Sequence, residues 1–331
     1  MVQISLSLNM TGPQTPKNVV TPNKIQLQWQ EAEIGVVFHY DLHVFKKPHY
    51  NQKRNRITPI ENIDLFNPEQ LHTDQWLECA KNMGAKYAIL TASHETGFRN
   101  WCSKVNPYSL SSVQWGEGKR DLLKEFVESC NKYDIKPGIY IGIRWNSHLG
   151  IYDFKTTENS PLTQEEYNQL VEKEVEELMT NYGDWFEVWF DGGAYGPELG
   201  GPDVLSIVQK HQPKAIFYHN TQRMDHRWGG SESGFVPYPC WATVPYPSMN
   251  QHALNIKNKR YFQLLKQGDP EGKYWMPAMA DPPLRDHEWF WDEGDDHKVR
   301  GLDELVKIYY GSVGANANLT VGLPPDQRGL L

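Results

Sequence analysis

Two acidic residues in this chain stand where chemistry is easiest to arrange. Asp191 closes the apolar run 186–191 (FEVWFD) and is followed by Gly192 and Gly193. A carboxylate at the end of an apolar strand, with two glycines after it, leaves room for a ligand against the backbone. An Asp-Gly turn is the plainer reading of the same residues. Glu232 lies in a glycine-rich stretch, Arg227-Trp228-Gly229-Gly230-Ser231-Glu232. Two carboxyl groups across one pocket are what glycoside hydrolysis needs, although a loop glutamate is often just solvated. His39 (in FHY) and His94 (in ASHETGF) end two further apolar runs. Converging imidazoles suit sugar hydroxyls. With Glu95 and Asp191 they would also make a four-ligand set of the kind a metal hydrolase uses, so that chemistry stays open. The run 116–121 (GEGKRD) lacks the spacing of a phosphate loop, and no G-x-S-x-G nucleophile turn occurs.

These residues need elements to position them. Short apolar, β-branched or aromatic runs recur at 35–40, 86–92, 138–143, 186–191, 215–219, 241–244, 274–279 and 318–323, which makes eight candidate strands. Helical periodicity fills 73–83, 121–133, 163–182, 203–211, 254–265 and 302–312. Thr73 and Thr163 read as helix starts, the latter with Glu166 as a capping box. Continuous apolar strands alternating with amphipathic helices predict a parallel sheet covered by helices, and eight units fit a (β/α)₈ TIM-like barrel in a single catalytic domain over 1–331. Residues 1–27 read as an extended lead-in, 46–64 as a loop, and 221–273 as long decorations after the later strands. In such barrels chemistry sits at the carboxyl ends of the strands. This selects His39, Asp41, Ser93, His94, Glu95, Arg144, Asn146, Asp191, His219, Asn220, Arg227, Glu232, Asp281 and Arg285.

Composition narrows the partners. The chain has 331 residues with 33 basic and 41 acidic side chains, a net charge of −8, which argues against nucleic acid or an anionic membrane as partner. No apolar run reaches the roughly 18–20 residues of a membrane span, and residues 1–16 lack the pattern of a secretory signal. The four cysteines are scattered, with Cys79 and Cys130 expected as core thiols. Twelve Trp and 17 Tyr offer flat faces with polar tips, which suit sugar rings as well as cores. Asn9 and Asn318 head two weak glycosylation sequons.

In their order along the chain, the stretches QWQEAEIGVVFHYDLHVF, KYAILTASHETGFRNWCSKVNPYSL, NYGDWFEVWFDGG, RWGGSESG, YWMPAMADPPLRDHEWFW and ELVKIYYGSVGANANLTVGLPPDQRG resemble the α-L-fucosidases of glycoside hydrolase family 29. The resemblance implies an exo-acting, retaining hydrolase that releases terminal α-L-fucose from glycans without metal or organic cofactor. It places the nucleophile at Asp191 and the acid/base at Glu232, the latter as in the subgroup selective for α-1,3/1,4-linked fucose. His39, His94, Glu95, Tyr140, Trp189, Arg227 and Trp289 fall to substrate binding. His39, His94 and Arg227 are expected to keep Asp191 ionised, and burial against Trp228 to raise the pKa of Glu232. Trp189, Trp289 and Phe290 are expected to wall the sugar's methyl group. Relatives are mostly lysosomal, secreted or periplasmic, and the β-sandwich that often follows the barrel is not expected in this chain.

The departures from the family pattern cluster at the site. Glu95 replaces the second of two adjacent histidines, Asp41 replaces a glycine, Arg144-Trp145-Asn146 replaces Trp-Asp-Arg-Asn, and Met279 replaces a glutamate. Glu95, Asp41 and Arg144 keep a related sugar such as α-L-galactose in view. The altered strand-two motif and Met279 keep open a catalytically impaired carbohydrate-binding protein on the same barrel.

Overall fold

The computed structural model describes residues 19–47, 50–250 and 258–331. Eight strands form one sheet: β1 (Ile34–Phe38), β2 (Tyr87–Ser93), β3 (Lys136–Ile141), β4 (Glu187–Ala194), β5 (Ile216–Asn220), β6 (Arg227–Trp228), β7 (Ala278–Ala280) and β8 (Ala317–Gly322). Their order is β5-β4-β3-β2-β1-β8-β7-β6, with every neighbouring pair parallel. This is a (β/α)₈ barrel whose seam lies between β5 and β6. Asp225 bridges that seam, its N–H donating to Phe217 O at 3.0 Å and its carboxylate accepting from Phe217 N at 2.9 Å.

Strand alternation sorts the core into two layers. Val37, Tyr87, Ile89, Tyr140, Trp189, Ile216, Tyr218 and Met279 fill the barrel interior. Val36, Phe38, Leu90, Ile139, Val188 and Phe190 pack outward. They meet residues from the helices α2 (Thr73–Asn82), α3 (Leu122–Tyr133), α4 (Gln164–Asn181) and α5 (Val204–His211), among them Trp76, Phe126, Val175 and Val208. Two later helices, α6 (Lys259–Gln267) and α7 (Leu302–Ser312), complete the shell.

Several sequence expectations change. The lead-in expected to run extended to residue 27 turns helical at α1 (Lys24–Ala32), held by an Asn23/Gln26 capping box. Trp29 of α1 is fully buried and donates to Glu187 at 2.8 Å, while Gln26 donates to Asp225 O and Trp275 O. The helix therefore closes the barrel floor. The loop expected over 46–64 carries a short helical turn, Gln52–Asn55. The sixth strand is Arg227–Trp228, not 241–244. Thr243–Val244 instead pairs antiparallel with Tyr274–Trp275 in a separate ribbon. Thr73 does not cap α2, because its hydroxyl is engaged with Glu125 O and Ser129; His72 occupies the cap position. Thr163 does form its capping box. Cys79 faces solvent on α2, whereas Cys130 is buried. Asn318 is buried and donates to Trp29 O, so it is closed to glycosylation. The Asn9 sequon, the first 18 residues of the lead-in and the start of the helix expected at 254 lie outside the described residues. No described helix is long and apolar enough to cross a membrane.

Candidate active site

The alternation that sends Tyr140 and Trp189 inward carries Asp191 to the inner rim of β4. The two glycines after it are required by the backbone. Gly192 and Gly193 have φ of +65° and +94°, and the β4–β5 register shifts between Trp189 and Ala194. A Cβ on Gly193 would lie 2.2 Å from Asn250 Nδ2, and one on Gly192 would lie 2.9 Å from Arg144 Cδ. The bulge thus turns the Asp191 carboxylate into the barrel mouth and lets Arg144 approach from behind.

A cup opens there, lined by Trp189, Asp191, Gly192, Tyr218, His219, Trp228, Glu232, Met249, Leu265 and Asp281. Burial pushes the Asp191 carboxyl upward from its ordinary range. The Tyr140 hydroxyl, the Arg144 and Arg56 guanidinium groups and the Gly192 N–H all favour its charged form. Glu232 stands at the rim, with the Trp289 indole donating to it at 3.2 Å. Partial burial and the Asp191 charge push its carboxyl up, against the opposing pull of the Trp289 hydrogen bond. Three carboxyl groups therefore face one cup, and their supports differ.

The other expected site residues divide. Trp189 lines the cup. Tyr140 lies directly behind Asp191 and donates to it. His39 and His94 sit one layer back. The His39 ring is 5.2 Å from Tyr140 and 4.8 Å from Trp289, and His94 stacks on Tyr140 at 5.5 Å. Burial pulls His39 down to about 3 and His94 well below its usual value. Both imidazoles are neutral, so neither provides the charge expected to hold Asp191 ionised; Arg144 and Arg56 do. Phe290 packs against both rings behind the cup rather than lining it. Glu95 is turned into an ion pair with Arg56 (2.7 Å) and accepts from Tyr50 (2.9 Å). Among the described residues no cluster of three or more His, Cys, Asp or Glu is placed to hold a metal.

Arg227 is a correction. Its neighbour Trp228 points into the cup, so Arg227 points out. There its guanidinium donates to Leu265 O (2.8 Å), Trp241 O (2.8 Å) and Met276 O. It is fully buried and braces the β6 backbone instead of meeting substrate. Trp228 lines the cup together with Glu232, and its indole donates to Asp281 at 2.8 Å. Asp281, Tyr218 and His219 line the cup although the resemblance gives them no role, and Arg56, in the loop after β1, acts on Asp191 through its charge. Only the strand-end rule pointed at Asp281 and His219.

The chain matches the Alpha-L-fucosidase family model over residues 12–331. It is 31% identical over 333 residues to Alpha-L-fucosidase 1 of Arabidopsis thaliana, covering 99% of this chain and 61% of that protein. The crystal structure of an α-L-fucosidase candidate from Bacteroides thetaiotaomicron superposes with a TM-score of 0.90 at 52% identity, covering 94% of this chain and 72% of that one. A Ruminococcus gnavus fucosidase of glycoside hydrolase family 29 shares the fold, with a TM-score of 0.74 at 23% identity over 94% of this chain and 64% of that one. The chain spans about 60% of the length of the Arabidopsis relative. From its fold, its strand-end aspartate and these matches, the chain belongs to the α-L-fucosidase family, glycoside hydrolase family 29.

Proposed function

We propose that this protein is an exo-acting, retaining glycoside hydrolase that releases terminal α-L-fucose from glycans. The observation that carries the reading is that Asp191 and Glu232 line one small cup, where burial pushes both carboxyls up but their partners differ. Two guanidinium groups, a phenol and a backbone N–H favour ionised Asp191. Among the described residues no Lys or Arg is hydrogen-bonded to Glu232, and burial favours its protonated form against the Trp289 hydrogen bond and the His287 charge. Those are the states a double displacement needs: a charged nucleophile and a neutral proton donor, about 5–5.5 Å apart.

In the first step Asp191 attacks the anomeric carbon while Glu232 gives its proton to the departing glycosidic oxygen. A covalent fucosyl ester forms as the aglycone leaves. In the second step ionised Glu232 takes a proton from water, which displaces Asp191 and restores both groups. Tyr140 and Gly192 hold the carboxylate in line and accompany its change of charge. Trp189, Met249 and Leu265 offer an apolar wall for the 6-methyl group. Fucose is favoured over L-galactose because the three polar residues that kept L-galactose in view, Glu95, Asp41 and Arg144, are engaged elsewhere. Glu95 is held by Arg56 and Tyr50, Asp41 by Thr96 and the Leu42 N–H, and Arg144 by Asp153.

The test is hydrolysis of an aryl α-L-fucoside. Asp191→Asn should lower kcat by about 10⁴-fold, and azide should rescue Asp191→Gly as a fucosyl azide. Wild-type turnover by Asp191→Asn would remove the assignment. Calorimetric fucose binding with no turnover of any α-L-glycoside would replace the enzyme by a carbohydrate-binding protein.

A further inference from the structure

The third carboxyl group in the cup has no part in the two-step scheme. Asp281 follows β7, is 6% exposed and lines the same surface as Asp191 and Glu232. The Trp228 indole donates to one of its oxygens at 2.8 Å, and its own backbone N–H also bonds the carboxyl group. Among the described residues lining this cup there is no Lys or Arg, and the two guanidinium groups nearby, Arg144 and Arg56, support Asp191. Three like charges cannot share so small a space without counterions. On the fucosidase reading Asp191 carries the charge, and Asp281 is the more enclosed of the remaining two.

We propose that Asp281 is a substrate-reading residue: a neutral carboxylic acid, oriented by Trp228, that donates a hydrogen bond to a ring hydroxyl of the bound sugar. This rests on the fucosidase reading and deepens it. An ionised Asp281 accepts hydrogen bonds only and adds a second negative charge to the cup, so a neutral acid is a different recognition element from either catalytic carboxyl. Burial, the Glu232 charge and the Asp191 charge hold it in the acid form, against the hydrogen bonds from Trp228 and from its own backbone N–H. Among the described residues, Tyr218 and His219 are the other titratable groups lining the cup. A neutral acid is also why the Trp228 indole and its own backbone N–H suffice as its partners where Asp191 needs two cations.

The inference is tested by calorimetry with L-fucose in an E232Q background, which removes turnover and the titration of Glu232. The variants are E232Q, E232Q/D281N and E232Q/D281A, across about pH 5 to 10. The amide introduced by D281N still accepts from Trp228 and still donates, without titrating. E232Q should lose affinity at the alkaline end, by about tenfold per pH unit once Asp281 ionises. E232Q/D281N should bind with little pH dependence. E232Q/D281A should bind about 10- to 100-fold more weakly at low pH, the effect of one buried hydrogen bond. Thermal melts establish that each variant is folded, and the comparison of E232Q with E232Q/D281N stands alone if the alanine variant is not. Equal pH dependence in those two, or undiminished affinity in E232Q/D281A, would overturn the proposal and leave wild-type hydrolysis of the aryl fucoside intact. A wild-type protein that neither hydrolyses α-L-fucosides nor binds fucose would remove the fucosidase reading, and this proposal with it.

Discussion

Replacing Tyr140 by phenylalanine deletes one oxygen atom from the wall behind Asp191 and leaves the ring packing in place. Tyr140 is 2% exposed, and its ring lies 5.2 Å from His39, 5.5 Å from His94 and 5.4 Å from Trp189. The variant should therefore fold normally. Its hydroxyl donates to the Asp191 carboxylate and favours the charged form. A hydrogen bond to a charged group is worth about 1.5–3 kcal/mol, and about 1.4 kcal/mol corresponds to one pH unit in a titration. Losing the donor raises the Asp191 pKa, so more of the nucleophile is protonated at a given acidic pH. The acid limb of kcat/KM for an aryl α-L-fucoside should move up by about one to two pH units. The sign is fixed, because only the ionised carboxylate attacks. An unmoved acid limb in a folded Tyr140→Phe protein would refute the reasoning, as would a shift to lower pH.

Three further perturbations separate the remaining parts. Gly193→Ala places a methyl 2.2 Å from Asn250 Nδ2 at a φ of +94°, so activity should fall at least tenfold and thermal stability should drop by about 1–3 kcal/mol. Trp289→Phe removes the donor that favours ionised Glu232; the Glu232 pKa then rises, and the alkaline limb of kcat/KM should move to higher pH. Arg227→Met strands carbonyls of Leu265, Met276 and Trp241, which should lower stability by about 2–4 kcal/mol in denaturant unfolding while KM of the folded fraction stays near the wild-type value. A KM effect without destabilisation would return Arg227 to the substrate.

The barrel was legible because its strands are long enough to show their phase. In β1, β3 and β4 the period of two separates Val37, Tyr140 and Trp189 from their outward neighbours, and extending it by one step delivers Asp191 to the mouth. The sixth strand was not legible, since Arg227–Trp228 is only two residues long and follows a polar connection. Two residues carry no measurable period. Their phase is fixed only by pairing with Ala278 and Met279, which is why Arg227 read as a cup residue while Trp228 occupies that place. The resemblance gave the histidines to the sugar hydroxyls and the mechanism enlisted them with Arg227 as donors to Asp191; burial favours neutral imidazoles, and the groups that favour ionised Asp191 are Tyr140, Arg144, Arg56 and the Gly192 N–H. Arg56 sits in a loop whose approach to the mouth depends on its ion pair with Glu95, a contact between residues 39 positions apart. The departure at Glu95 was visible in the sequence, but its partner was not.

The most direct measurement of the central claim is covalent trapping with a 2-deoxy-2-fluoro-fucosyl fluoride, followed by mass spectrometry of the digested protein. The expected result is one sugar per chain, carried as an ester on the peptide containing Asp191. A label on Glu232 or Asp281, or turnover of an aryl fucoside with inverted anomeric configuration and no labelled peptide, would contradict it.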